Sequence, residues 1–252
     1  MSQKQIFLTL FALFVYLSAD GQQDQITIGK HVEITSEILS EERPLIIGLP
    51  RYYDPQKKYS LLLLLDGDYH FISAYGTVEY LSKRFLIPDM IVVAIPNTNR
   101  VRDLTPSHTL TNFQGQQDAS LTDSGGGERF LQFIEQELIP YLRNNYSISN
   151  LEILVGHSWG GLTATQSFFD AQGSIDKFIA IDPSYWWDDQ YLVQQAAQVQ
   201  MSNIPNHRRL FISASSLVFE AKQGSCCLQR NSIDLFYATL KNATTQLDQI
   251  SL

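Results

Sequence analysis

The sequence predicts an α/β protein built on a mostly parallel central sheet with helices on both faces, and three observations carry that prediction. Apolar runs of strand length alternate with helical patterns, the order from which parallel sheets are made. The hexapeptide GHSWGG, Gly156 to Gly161, stands directly between one such run and one such helix. With 44% hydrophobic and 17% charged residues, the 252-residue chain can bury one sizeable core, and two independent domains are not expected.

The elements follow in order. The short runs QITIG, HVEIT and PLIIGLP, ending at Gly48, predict an antiparallel opening to the sheet. YSLLLLL, Tyr59 to Leu65, is continuously apolar and suits a strand buried on both faces; MIVVAI, Met90 to Ile95, is the next and ends at Pro96. Leu151 to Val155, Phe178 to Ile181 and Leu210 to Ala214 complete the series. Helical patterns cover Phe71 to Lys83, Glu128 to Asn144, a segment beginning near Leu162, and Ser232 to about Leu247, where Ile233, Leu235, Phe236, Leu240 and Leu247 make an apolar face. Two connections are long: Pro96 to Gly127, a length that marks functional or mobile loops, and DPSYWWDDQ, Asp182 to Gln190. The triple glycine Gly125 to Gly127 lacks the lysine of a phosphate-binding loop and follows a loop, so it reads as a helix entry.

Composition also limits function. A net charge of −8 without a basic stripe gives no support to nucleic-acid binding or to attraction by an anionic membrane surface. Lys4, the apolar run Ile6 to Leu17 and the small or polar residues Ser18 to Gln22 have the three-part form of a signal peptide. The run is shorter than the about 20 residues of a membrane span. Residues 1–21 are therefore expected to be removed, leaving a domain of residues 22–252 in the periplasm or outside the cell with no stable membrane span. Cys226 and Cys227 are adjacent and give no disulfide framework; they read as incidental thiols in a loop. Asn145 and Asn242 open glycosylation tripeptides, which matter only in a eukaryotic secretory route.

A strand, then Gly-His-Ser-Trp-Gly, then a helix is the context of a nucleophile elbow, in which Ser158 is held strained with its hydroxyl exposed. Side chains at Gly156 and Gly160 would collide with the turn. The N–H of Trp159 then faces a developing oxyanion, helped by the positive end of the helix. A second donor is expected after an earlier central strand, where LLDGDYHF offers the amide of Gly67 or Asp68; a simple tight turn is the alternative.

LLDGDYHF, AIPNTNRVRDLTP, GGGERFLQFIEQELIPYLRNNY, GHSWGGL and IDPSYWW, in this order, make the chain from about Gln25 to Ser216 resemble the bacterial esterase family of the α/β-hydrolase superfamily, related to siderophore esterases, S-formylglutathione hydrolases and feruloyl esterases. The resemblance implies the α/β-hydrolase fold and hydrolysis of small-molecule or carbohydrate esters, acyl, feruloyl or siderophore, by a serine nucleophile without a metal or organic cofactor. In this superfamily the order is Ser, then Asp or Glu, then His. The acid should follow RRLFISAS, where Glu220 is the first candidate and Asp234 the second. The family's histidine lies in a loop near the C-terminus, yet no histidine follows His207. The sequence thus reads as a family member lacking its last strand and histidine loop, with an inactive or purely binding remnant as the alternative. Among the other histidines, His157 should turn away from the serine, His207 lies at the opposite end of the sheet, His31 is expected at the surface, and His70 and His108 are candidates for the pocket mouth.

Tyr185, Trp186 and Trp187 directly follow a central strand, where loops line the pocket of an open α/β sheet, and are either contacts for an apolar, aromatic or sugar group or core packing. Arg100 and Arg102, beside Asp103, either meet an anionic substrate or brace the long loop.

Overall fold

A computed structural model describes residues 27–170, 172–199, 203–215, 225–243 and 250–251. The first two strands, β1 (Lys30–Ser36) and β2 (Glu41–Gly48), form an antiparallel pair, and β2 adds antiparallel to β4 (Met90–Ile95). β3 (Tyr59–Leu65) is parallel to β4 on one side and to β5 (Ile148–His157) on the other. β6 (Lys177–Ile181), β7 (Arg209–Ser213) and the short β8 (Ile250–Ser251) continue the parallel part, giving the order β1-β2-β4-β3-β5-β6-β7-β8. All residues of β3 and β4 are buried, as their unbroken apolar runs require of strands with both faces covered. QITIG makes no strand in its described part: the backbone before Lys30 is irregular.

The last strand corrects an expectation. A chain expected to lack its last strand has one in Ile250–Ser251, which form β8, with Ile250 opposite Leu210 and Ser251 opposite Phe211. The preceding helix, Ser225–Ala243, begins earlier than its apolar spacing suggested, so Cys226 and Cys227 lie in a helix rather than a loop.

Period-two alternation sorts the strands into two faces. On one face Leu61, Leu63, Leu65, Ile91, Val93, Leu154, Phe178, Ala180 and Ile212 pack into the larger core, against helices α3 (Gly127–Phe133), α4 (Ile139–Asn145), α5 (Trp159–Phe169), α6 (Trp187–Gln198) and α7 (Ser225–Ala243). On the other face Leu62, Leu64, Val92, Ala94 and Val155 pack against Phe71 and Val78 of α1 (Gly67–Lys83). Right-handed crossovers dictate this division. The steps β5 to β6, β6 to β7 and β7 to β8 run one way along the sheet and put their helices on one face; β3 to β4 runs the other way and puts α1 on the opposite face, alone among the described residues.

The long loop after β4 is braced rather than loose. A short helix, α2 (Arg100–Asp103), begins it, and Arg43 of β2 pairs with Asp103 at 2.7 Å, both fully buried. Arg102 donates to Glu41 and Asp103, which answers the question left open for it: it is a brace. The triple glycine spends its amides on the same loop. Gly125 donates to Thr105 Oγ1, Gly126 to the Arg102 carbonyl and Gly127 to the Thr105 carbonyl, so no anion cradle remains.

Candidate active site

The site lies at the C-terminal edge of the parallel strands, where an open α/β sheet receives its ligands. β5 runs without a spacer into α5, and Ser158 is the residue between them, at φ 57° and ψ −113°. A serine gains nothing intrinsic from that left-handed conformation, so the surroundings must hold it. Its N–H donates to the Ile181 carbonyl at 3.0 Å and its carbonyl accepts from the Ser184 N–H at 3.2 Å. Gly156 is needed because a Cβ there would stand 2.1 Å from the Gly160 carbonyl oxygen. The collision expected at Gly160 is absent: a Cβ there meets nothing closer than 3.4 Å. The helix starts at Trp159 rather than near Leu162 because the turn uses only the serine itself.

The end of β3 is next to this turn, since Leu64 pairs with Val155. Asp66 is left-handed at φ 53°, and α1 starts at Gly67, where a Cβ would stand 2.6 Å from the Ile95 nitrogen. The first N–H groups of α1 and α5 have no acceptor within their own helices, which leaves those of Gly67, Asp68 and Trp159 at the edge where Ser158 sits. Arg100 fixes this corner. Its Nε lies 2.6 Å from Asp66 Oδ1 and its Nη2 3.0 Å from Oδ2, while its guanidinium stands 4.9 Å from the Trp159 ring centroid. Asn97 adds a 2.7 Å bond to Asp66 Oδ1.

Ser158 opens into a pocket of about 290 Å³ together with His157, Phe113, Asp182, Ser184, Trp186 and Gln229. Phe113 and Trp186 form an edge-to-face pair at 5.9 Å, and Trp186 donates its indole N–H to Gln229 at 2.6 Å. Of the three aromatic candidates after β6, only Trp186 lines the pocket. Tyr185 is fully buried, stacked on Phe236 at 3.9 Å with its hydroxyl 2.7 Å from Thr165 Oγ1; burial pushes its pKa up. Trp187 is 1% exposed and donates its indole N–H to the Ser107 carbonyl at 3.2 Å. Both are core residues, a correction the turn itself explains: successive residues leave the strand end in opposite directions.

The remaining candidates separate. The His157 ring meets His70 edge-to-face at 5.7 Å, and both line an apolar groove beside α1. Partial desolvation and then the neighbouring His70 hold the His157 pKa below its ordinary value. His70 is thus directed to that groove and not to the serine pocket. His108 faces the Ser124 carbonyl at 3.1 Å inside the long loop, and His207 pairs with Asp176 at 3.2 Å at the opposite end of the sheet. None of the five histidines, all within the described residues, is hydrogen-bonded to the Ser158 hydroxyl, whose partner is Ser184 Oγ at 3.0 Å. Asp234 lies on the exposed side of α7, paired with Arg230 at 3.0 Å, and does not line the Ser158 pocket. Glu220 lies outside the described residues.

Sequence reasoning missed Ser184, Asp182, Phe113 and Gln229. The signal for the first two was available. Parallel neighbours β5 and β6 pair His157 with Ile181, so whatever follows each strand must meet, and Ser158 faces the Asp182 to Ser184 turn.

A strained serine at a strand-to-helix turn, on the C-terminal edge of a mostly parallel sheet with helices on both faces, defines the class: an α/β-hydrolase. Within that class the chain belongs to the Esterase family, whose model, described as "Putative esterase", matches residues 36–209. The ferri-bacillibactin esterase BesA of Bacillus subtilis is 27% identical over 167 residues, 60% of this chain and 56% of that protein. The siderophore enterobactin esterase of Emericella nidulans is 28% identical over 179 residues, 66% of this chain and 55% of that one. The matches thus span little more than half the length of these relatives. An IroE-like serine hydrolase from Shewanella oneidensis superposes with a TM-score of 0.78 at 29% identity, covering 88% of this chain and 71% of that structure. Among the described residues, no helix is long and apolar enough to cross a membrane.

Proposed function

We propose that this protein cleaves a carboxylic ester of the siderophore type through an acyl-enzyme on Ser158. The observation that carries the reading is the strained Ser158, the residue between strand and helix, opening into a pocket walled by Phe113 and Trp186. The serine oxygen attacks the ester carbonyl carbon. The carbonyl electron pair moves to oxygen, where the Trp159 N–H and that of Gly67 or Asp68 meet it; its return breaks the ester C–O bond, the alcohol departs with the serine's proton, and water then cleaves the acyl-serine bond to release the acid and restore the hydroxyl. The Phe113–Trp186 pair suits a flat aromatic acyl group, and the names of the relatives point to siderophore esters. Glu220 is proposed as the acid, and a periplasmic or external location follows from the signal-like N-terminus.

One observation favours a second reading. With no imidazole bonded to Ser158, the hydroxyl lacks the ordinary base, and loss of a triad member costs about 10⁴–10⁶ in rate. A protein with that defect binds the ester and turns it over slowly or not at all. The experiment is hydrolysis of a chromogenic aryl ester beside Ser158→Ala, with intact-mass analysis for an acyl adduct. Turnover and an adduct that both vanish in Ser158→Ala support the esterase. Saturable quenching of tryptophan fluorescence by an aromatic ester, without adduct or product, supports the binding protein. Hydrolysis that persists in Ser158→Ala sinks the proposed mechanism.

A further inference from the structure

We infer that Ser184 is a hydrogen-bond donor to the Ser158 nucleophile, holding its oxygen in place and lowering the cost of ionising it. This deepens the esterase reading and rests on Ser158 being the nucleophile. Ser184 is 1% exposed, its N–H donates to the Ser158 carbonyl and its own carbonyl accepts from the Trp187 N–H at 3.0 Å. Only its hydroxyl remains, 3.0 Å from Ser158 Oγ. A buried hydroxyl that donates to nothing is destabilising, and the acceptor at hand for Ser184 is Ser158 Oγ. Ser184 therefore gives its proton to that bond, which leaves the Ser158 proton free to point into the pocket.

The consequence is chemical. A hydrogen bond donated to an oxygen strengthens as that oxygen gains negative charge, and so favours the charged form. Ser184 keeps its proton throughout, while the Ser158 proton is the one that leaves. The donor is held firmly, because the turn that carries it is tied on several sides. Asp182, left-handed at φ 44°, donates its N–H to the Ser213 carbonyl at 2.8 Å, accepts from the Ser215 N–H at 3.1 Å and has its carbonyl bonded by Gln229. Two strained turns at the ends of neighbouring parallel strands thus brace each other through the pair of serines.

Phosphonylation by an aryl fluorophosphonate tests this without full turnover. The Ser158 oxygen bonds to phosphorus, the P–F bond breaks, fluoride leaves and the serine proton passes to the buffer base. Rates are measured from pH 6 to 10 for the native chain, Ser158→Ala, Ser184→Ala and Ser184→Thr, with melting temperatures for each. Ser184→Ala is expected to label about 10- to 100-fold more slowly, the worth of a hydrogen bond to a charged group. The pH at which its labelling rises should move upward, and Ser184→Thr should recover most of the rate. Native-rate labelling of Ser184→Ala, with Ser158→Ala inert, overturns the role of Ser184 alone. So does slowing in both Ser184 variants with an unmoved pH profile, which marks a structural role. Labelling that persists in Ser158→Ala, or fails in every variant, overturns the nucleophile reading and this inference with it.

Discussion

Glu41 and Ser158 show what a single residue reveals in sequence and what it hides. The strained turn at Ser158 was legible because its backbone depends on neighbours within three positions, and Gly156 and the helix after it are written beside it. Glu41 was not, because beside Arg43 of its own strand its partners are Thr98 and Arg102 of the long loop, 57 and 61 positions away. Arg102 above all, then Arg43 and Thr98, holds the Glu41 carboxylate down to about 2 from its ordinary 4.5. A carboxylate depressed by folding stabilises the native state above its unfolded pKa and loses that contribution as pH falls through the folded one. The window is therefore pH 4.5 to about 2. Arg102→Gln should lower stability by up to about 3 kcal/mol at pH 7 and by much less at pH 2.5. Urea melts at the two pH values measure this; an equal loss at both would show that packing rather than charge links the loop to β2.

At the level of elements, strand identities were legible from apolar runs, while boundaries and orientations were decided by partners. The helix expected over Glu128 to Asn144 contains a π turn, Ile134–Leu138, just before Pro140. Proline lacks the N–H that would bond one turn back, and the wider turn absorbs the defect. Only Pro140 hinted at it. The IDPSYWW segment is the clearer case, since three adjacent aromatics read alike in sequence. The turn after Asp182 sends Tyr185 and Trp187 into the core and leaves Trp186 in the pocket, and the left-handed residues Asp188 to Gln190 then kink the first turn of α6. The two tryptophans should therefore fail in different assays. Trp187→Ala should cost about 3–5 kcal/mol, a fall of roughly 10 °C in melting temperature. Trp186→Ala should leave melting within about 2 °C and weaken binding of aromatic esters about tenfold. If instead Trp187→Ala melts normally and loses ester binding, the assignment of the two rings is reversed.

Over the whole molecule, helices on both faces were legible, but their uneven division was not, because it depends on strand order. Once β3 lies between β4 and β5, handedness puts, among the described residues, five helices on one face and α1 alone on the other. Parallel strands are normally covered on both sides. Here, among the described residues, the α1 face of β5, β6 and β7 is open: Ile181 is 39% and Phe211 45% exposed, and a groove of about 620 Å³ runs beside Val78, Ile153 and Ile179. A contiguous apolar surface of this kind binds hydrophobic dyes and drives association. The purified chain should bind such a dye and self-associate with rising concentration, and the double variant Ile181→Ser with Phe211→Ser should reduce both. Because these side chains are already partly in water, the melting temperature should change by no more than about 2 °C. Dye titration and sedimentation of the two proteins decide the matter. Equal dye binding by both would mean that this face is covered in solution, and a large fall in melting temperature for the double variant would show that the cover contributes to the fold.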